Sequence, residues 1–366
     1  MDQINYSELL NTVRKLVSEN ATRIFAEVVD EARNISSILE EVPNVAKDFT
    51  LRGGKRLRAL LILLGYWSRK WGLPVEGIKP LLAGIEFLQS YLLVHDDIMD
   101  RDELRRGGPT VHVVFRNKCI EDKLLGDCEH YGISQAIIVG DYLESLAVYM
   151  FSKLNLPSNT FARLIERYAK GLRIVSYGQY LDVLLAQKPL QRVSVDDVLL
   201  VHKLKTASYT VELPLHLGAL ASNMYSPELL NELSAYAIPA GIAFQLKDDI
   251  LGLYGDPSIT GKPAGSDVRE KKKTVLIVKA YELADEDDRR FLEEIYNTRK
   301  PDEITSEDIE RVREIVKNTG SYDYTLKLMK RKAEEARNAL RNSILICEEA
   351  RNALDWLLDL FIRREK

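Results

Sequence analysis

Four aspartates and three arginines fall within eleven residues, in the run Tyr91-Leu-Leu-Val-His-Asp96-Asp97-Ile-Met-Asp100-Arg-Asp-Glu-Leu-Arg105-Arg106-Gly-Gly-Pro109-Thr-Val-His112. Nothing from Leu82 to Met99 breaks a helix apart from Gly84 near its start. Helix positions three and four apart share a face. Asp96 with Asp100, and Asp97 with Asp100, therefore gather acid oxygens at the end of an apolar helix. Clustered carboxylates repel one another and cost desolvation free energy when even partly buried. A hard divalent cation removes the repulsion, and Mg²⁺ binds through one or two carboxylates while keeping waters and accepting phosphate oxygens. Arg105 and Arg106 read as forks for the same phosphates. A charged helix end with solvated ion pairs is the alternative for this stretch taken alone.

A second stretch has the same plan. Phe244-Gln245-Leu-Lys-Asp248-Asp249-Ile-Leu-Gly252-Leu-Tyr-Gly255-Asp256 ends an apolar helix in an aspartate pair and runs on to Gly261-Lys262 and Lys271-Lys272-Lys273. Two acid clusters about 150 residues apart, each followed by cations, suggest several metal ions clamping one polyphosphate between them. A further basic pair, Lys55 and Arg58, lies at i,i+3 where a helix opens after Gly53-Gly54. There, backbone N–H groups also favour anions, and a solvated basic turn is the alternative. Gln89 lies seven residues before Asp96, two turns back on the same face.

In this order the motifs resemble those of the trans-isoprenyl diphosphate synthases, from Gly53 to about Thr274, and the archaeal geranylgeranyl type in particular. They are Gly54-Lys55-Arg56-Leu57-Arg58, the first aspartate cluster with Arg-Arg-Gly-x-Pro-Thr, Gly140-Asp141-Tyr142-Leu143, Gly178-Gln179-x-Leu-Asp182, Lys205-Thr206, and Phe244-Gln245-x-x-Asp248-Asp249. The resemblance implies a prenyltransferase that joins isopentenyl diphosphate head to tail to an allylic diphosphate. It implies Mg²⁺, several ions per site with Mn²⁺ as an alternative, held by Asp96, Asp97, Asp100, Asp248 and Asp249. Lys55, Arg58, Gln89 and Arg106, with Gly54, would hold isopentenyl diphosphate. Arg105, Lys205, Lys262 and Lys272 would hold the departing diphosphate. Gln245 and the backbone near Lys205-Thr206, where the family's helix kinks, would face the developing carbocation. Asp182, at i,i+3 from Gln179, is either a water-mediated neighbour of that phosphate site or a structural cap.

Two departures from the pattern stand out. Gly252 occupies the place of a third acid in the second cluster, with Asp256 one turn further on, and Lys271 stands where glycine is common. Product length would be set by whatever blocks the tail one turn before Asp96, where Tyr91 and the smaller Leu92 sit. A C20 geranylgeranyl product is expected, with C15 farnesyl diphosphate as runner-up. A terpene cyclase or a non-catalytic prenyl-diphosphate-binding helical protein are the rival classes. A cyclase has no use for a second diphosphate site at Lys55 and Arg58.

Apolar helical periodicity marks the elements that must position these residues. Helices are expected over residues 2–41, 57–71, 82–99, 133–153, 161–187, 198–222, 228–251, 274–284, 287–297, 306–317 and 321–363, with Pro43 and Pro74 as punctuation and no convincing strand. The expectation is one all-α domain over 1–366, an isoprenoid-synthase-like bundle around a central cavity, with an insertion of roughly a dozen residues within 116–132. A lid, a dimer contact or a solvated excursion would all fit that segment. Composition adds limits: 46% hydrophobic and 29% charged residues suit a soluble core, and a net charge of −4 gives no general pull toward nucleic acid or anionic membrane. No apolar run spans a bilayer and no signal peptide opens the chain, so a cytoplasmic enzyme is expected, a homodimer by resemblance. The three cysteines show neither a disulfide framework nor zinc spacing and are expected to be reduced.

Overall fold

The computed structural model describes residues 5–255 and 265–363, and Asp256, Gly261 and Lys262 lie outside them. The described chain is helical almost throughout, as expected. In order it forms α1 (Tyr6–Ile35), α2 (Glu41–Leu51), α3 (Leu57–Tyr66), α4 (Lys79–Asp100), α5 (Val111–Glu121), α6 (Cys128–Ser152), α7 (Ser158–Gln187), α8 (Val195–Val201) and a π-helical stretch (His202–Glu212). Then follow α9 (Leu213–Ala221), α10 (Pro227–Tyr254), α11 (Ser266–Arg269), α12 (Val275–Leu283), α13 (Glu286–Glu293), α14 (Ser306–Asn318), α15 (Ser321–Asn342) and α16 (Glu348–Arg363). The backbone divides into two compact units, Met1–Leu63 with Gly72–Phe161, and Leu64–Trp71 with Ala162–Lys366. No described helix is long and apolar enough to cross a membrane.

In the first unit α4 is the central strut. Every residue from Leu81 to Ser90 is buried, the pattern of a helix enclosed on all sides. Pro80 is tolerated in the first turn, where its missing N–H has no intrahelical partner anyway. Helix α6 packs along α4 closely enough that a Cβ on Gly140 would lie 2.3 Å from Nε2 of His95, so a side chain there would displace the imidazole. Helix α4 ends because Arg101 takes the left-handed conformation (φ 59°), with its N–H turned back to the Asp97 and Ile98 carbonyls. The second unit is built around α10, which buries Tyr236 completely and whose Leu229 N–H donates to the side chain of its Ser226 cap.

Several expectations need correction. A two-residue antiparallel ladder pairs Leu104 with Pro109 and Arg105 with Gly108, a strand pairing too short for any periodicity to reveal. Pro43 lies inside the first turn of α2 rather than between elements, while α1 stops at Ile35, short of 41. The helix expected over 321–363 is two, parted at 343–347. The break is held by Glu232, whose carboxylate accepts from Leu345 N at 3.1 Å and from Ser343 Oγ at 2.5 Å. That partner is over a hundred residues away, which local pattern cannot see.

The cysteines are also corrected. Cys119 and Cys128 form a disulfide, and Cys347 alone is free. The bridge joins the end of α5 to the start of α6 across the turn 122–127, where Lys123 (φ 52°) and Gly126 (φ 107°) reverse the chain and Asp127 caps α6 by accepting from Glu129 N at 2.9 Å. The segment 116–132 is therefore mostly helix, with a short stapled turn, and not a long loop. Alkylation of the denatured, unreduced protein should label one cysteine; labelling of three would remove the bridge. Closing a loop of this size is worth about 3 kcal/mol in the chain-entropy picture, so Cys119→Ala should lower the urea midpoint accordingly.

Candidate active site

In the first unit the three aspartates stand at the C-terminal end of α4, the negative pole of the helix, where acid side chains are least welcome. Asp97 is fully buried. Arg105, carried back by the hairpin, answers this charge: its Nε donates to Asp97 Oδ1, its Nη2 donates to Asp102 Oδ2 at 3.0 Å, and it lies 3.9 Å from Asp96 Oδ2. Even so, burial pushes the Asp97 carboxyl up to about 7, with Asp102 and Asp96 adding to the shift and Arg105 opposing it. Its second oxygen, Oδ2, is buried without a hydrogen-bond donor. The hairpin is fixed from behind: Thr110 Oγ1 donates to the Asp102 carbonyl at 2.7 Å, and Arg52 Nη1 to the Pro109 carbonyl at 2.6 Å.

The structure brings the predicted basic residues together in the same unit. Gly54 (φ 105°) lies so close under Arg106 that a Cβ there would be 3.1 Å from Nη2. Local desolvation, with the charges of Arg56 and Arg58 nearby, holds Arg106 below its ordinary pKa. Lys55 is half-buried on the loop between them. What fixes that loop is a residue singled out only as part of a motif: Arg56, buried at φ 52°, donates to Glu86 Oε2 at 2.8 Å and to the Thr50 carbonyl at 2.7 Å. Such a buried pair ties Arg56 itself to the scaffold. Gln89 is buried on α4. Tyr91 and Leu92 are half-buried; the Tyr91 ring meets the edge of His95 at 4.8 Å. Burial, then Asp141 and Glu144, raise the Tyr91 pKa.

In the second unit the predicted residues form a line of contacts. Thr206 Oγ1 donates to Gln245 Oε1 at 2.8 Å, and Gln245 Nε2 donates to Asp249 Oδ1 at 3.0 Å. Asp249 Oδ2 lies 3.1 Å from Nε2 of His202, at ion-pair distance yet off the line that a hydrogen bond needs, and it has no hydrogen-bond donor. His202 was missed in the sequence; its signal was a place one helical turn before Thr206, too weak for a lone histidine. The eleven residues from His202 to Glu212 are π-helical, a form that is rare and often marks functional positions. The kink expected at Lys205-Thr206 falls within this stretch. Lys205 Nζ donates to Asp182 Oδ2 at 2.6 Å. Asp248 is half-buried one residue before Asp249.

The three consecutive lysines part company. Lys271 takes φ 55°, Lys272 pairs with Glu270 at 2.8 Å, and Lys273 is buried with its Nζ on the Ala186 carbonyl at 2.8 Å. Burial pushes Lys273 down to about 8, so of the three it is least suited to meeting a phosphate.

Among the described residues no three His, Cys, Asp or Glu side chains already converge as a metal cage. Buried carboxylate oxygens without donors, at Asp97 and Asp249, fit a hard cation that draws its other ligands from water and phosphate. Because Asp97 is raised above its ordinary 3.8, the folded metal-free protein holds that proton more tightly than the unfolded chain. The associated stability is present below about 4 and lost as pH rises through about 7. Asp97→Asn should therefore raise the melting temperature in EDTA at pH 8, by up to about 4 kcal/mol in stability, with the gain shrinking at pH 5. Calorimetry that finds the variant less stable at pH 8 would refute this.

The family model described as polyprenyl synthetase matches residues 40–317. A geranylfarnesyl diphosphate synthase of Aeropyrum pernix is 34% identical over 318 residues, 86% of this chain and 91% of its own. A geranylgeranyl diphosphate synthase of Saccharolobus solfataricus is 34% identical over 319 residues, 86% of this chain and 87% of its own. Among solved structures, a geranylgeranyl pyrophosphate synthase of Corynebacterium glutamicum, complexed with isoprenyl diphosphate and magnesium, superposes with a TM-score of 0.89 at 31% identity, covering 97% of this chain and 99% of that one.

Proposed function

The chain belongs to the polyprenyl synthetase family, and from that premise we propose that it is a trans-prenyltransferase condensing isopentenyl diphosphate with allylic diphosphates, ending at geranylgeranyl diphosphate. The observation that carries the reading is the pairing, within the first unit, of a buried acid cluster at Asp97 with a separate basic cluster at Gly54, Arg58 and Arg106. A reaction between two diphosphates needs both, one for a metal-bound leaving group and one for the second substrate.

Ionisation of the allylic C–O bond is the demanding step, since it builds negative charge on diphosphate and positive charge on carbon. Mg²⁺, held through Asp96, Asp97, Asp100, Asp248 and Asp249, would supply charge stabilisation to the departing diphosphate. Arg105, Lys205, Lys272 and Lys262 add hydrogen bonds to that same group. Arg105 is already among the acids and exchanges its carboxylate partners for phosphate oxygens. Lys55, Arg58, Gln89 and Arg106 hold the isopentenyl diphosphate so that its double bond meets the allylic carbon, which makes the bond-forming step effectively intramolecular. The Gln245 amide oxygen, which accepts from Thr206, and the π-helical carbonyls near it offer dipoles rather than nucleophiles to the cation. The released diphosphate takes the final proton.

Tyr91, half-buried against His95, is proposed as the floor for the growing tail, with Leu92 beside it. The geranylfarnesyl activity named for the Aeropyrum relative makes a C25 end point the nearest alternative, with C15 farnesyl diphosphate behind it. The chain is proposed to work as one synthase domain in the cytoplasm, on water-soluble diphosphates. A homodimer is proposed through apolar surface that includes Ile137 and Ile138, which are 44% and 51% exposed on α6.

Purified protein with Mg²⁺, isopentenyl diphosphate and C5, C10 or C15 allylic primers should elongate to C20 by mass spectrometry. Cyclic hydrocarbon from a single primer would make it a cyclase, and no turnover with any primer would sink the reading. Asp96→Asn and Asp248→Asn should each lower kcat by about 10²–10³-fold. Tyr91→Ala should lengthen the product, and an unchanged distribution would remove Tyr91 from the floor.

A further inference from the structure

In the first unit the basic loop and the hairpin behind the acid cluster meet at one residue. Arg52 closes α2 and opens the Gly53–Arg58 loop, with its N–H on the Asp48 carbonyl at 3.2 Å. Its side chain crosses from this corner to the hairpin. Arg52 Nη1 donates to the Pro109 carbonyl at 2.6 Å, while Nη2 donates to Asp48, four residues back on α2. The hairpin answers in the opposite sense, since Arg106 Nη1 donates to the Arg52 carbonyl at 3.2 Å. A single tie between two segments acts as a pivot; two ties opposed in direction resist rotation as well as separation.

Arginine chemistry suits this place. A guanidinium fork reaches a carboxylate and a carbonyl at once, where a lysine ammonium is a single point. The fork lies against Gly108 so closely that a Cβ there would be 2.5 Å from Nη1 and 2.7 Å from Cζ. Gly107 is left-handed (φ 75°) and Gly108 is not, so what Gly108 supplies is room for Arg52. The Arg52 side chain is 17% exposed, with Asp48 and Pro109 as its partners, and so belongs to the scaffold. Arg105 and Arg106 are neighbours in sequence but are held differently. Arg105 is fastened by Asp97 and Asp102. Arg106, with its guanidinium over Gly54, makes its hydrogen bond among the described residues to the Arg52 carbonyl. Loosening residue 52 therefore releases Arg106 and leaves Arg105 in place.

Resting on the prenyltransferase reading, we propose that Arg52 is a positioning residue for isopentenyl diphosphate: it pins the hairpin to the basic loop and so sets the Arg106 guanidinium over Gly54. Arg52 touches no substrate itself. A group already held in its bound place spares binding the free energy of ordering it. Losing the brace thus weakens affinity for the one substrate that Arg106 serves, and leaves the chemical step of the bound complex alone. Gly108 is the counterpart of Arg52, because any side chain at 108 would push the fork off the Pro109 carbonyl.

The test separates the two substrates. Rates of the full-length protein with Mg²⁺ are measured for isopentenyl diphosphate and for a C15 allylic primer in turn, the other being saturating. Calorimetry reads isopentenyl diphosphate binding without primer, and circular dichroism checks folding. Arg52→Gln should raise KM and Kd for isopentenyl diphosphate by about tenfold, the scale of one charge-assisted hydrogen bond. The primer KM and kcat should stay within about twofold. Arg52→Lys should behave like Arg52→Gln, because it keeps the charge and loses the fork; a direct phosphate contact would survive in part. Gly108→Ala, which alters no charge, should match Arg52→Gln, and the double variant should be no weaker than either single. If Arg52→Gln does not fold, Gly108→Ala decides alone. Wild-type isopentenyl diphosphate affinity in these variants, an equal rise in both KM values, or additive losses in the double variant would overturn the proposal and leave the prenyltransferase reading standing. An unmodified protein that neither turns over nor binds isopentenyl diphosphate would end that reading, and this inference with it.

Discussion

Negative charge held out of water at the end of α4 is the constraint to which the first unit answers. Asp97 has no exposure and stands where the helix dipole already disfavours an anion. Arg105 can reach it only because the chain stops at Arg101, crosses in a tight hairpin and is tied down through Thr110 and Arg52. None of these contacts would be selected for stability alone, since apolar residues in the same volume would give a core without the desolvation cost. They hold carboxylates in a condition that suits a cation better than it suits solvent.

The second unit handles the same difficulty with neutral groups. Asp249 is supported on one oxygen by Gln245, itself held by Thr206, while the other oxygen faces His202 without a donor. The polar line lies where a π-helical stretch meets α10, and the widened turn sets side chains from His202 to Thr206 against that helix. The network is unsatisfied at that carboxylate oxygen and at Nδ1 of His202; it is rigid where it is satisfied and ready to bind where it is not.

Much of this was legible in the residues. Helical periodicity outlined most of the longer elements but not α2 or α5, and spacing of three and four placed Asp96, Asp97 and Asp100 on one helix end. Ordered motifs predicted that Lys55, Arg58 and Arg106 serve one role, and Arg58 does lie near enough to Arg106 for their charges to interact. What escaped depended on partners distant in sequence. The break at 343–347 is held by Glu232, the Gly53–Arg58 loop by Glu86, and the place over Gly252 is taken by Asp267. The Cys119–Cys128 bridge escaped for another reason: spacing permits such a pair but does not dictate it, and both cysteines had a reasonable reduced reading.

The run Lys271-Lys272-Lys273 looks in composition like a diffuse basic patch whose members could stand in for one another. Its backbone says otherwise. The first lysine bends the chain, the second pairs with Glu270, and the third is sealed against the end of α7. Three identical letters thus carry three different meanings set by phase alone. Deleting any one of them would change the reading frame of the turn rather than dilute its charge, and no neighbour could inherit the lost position.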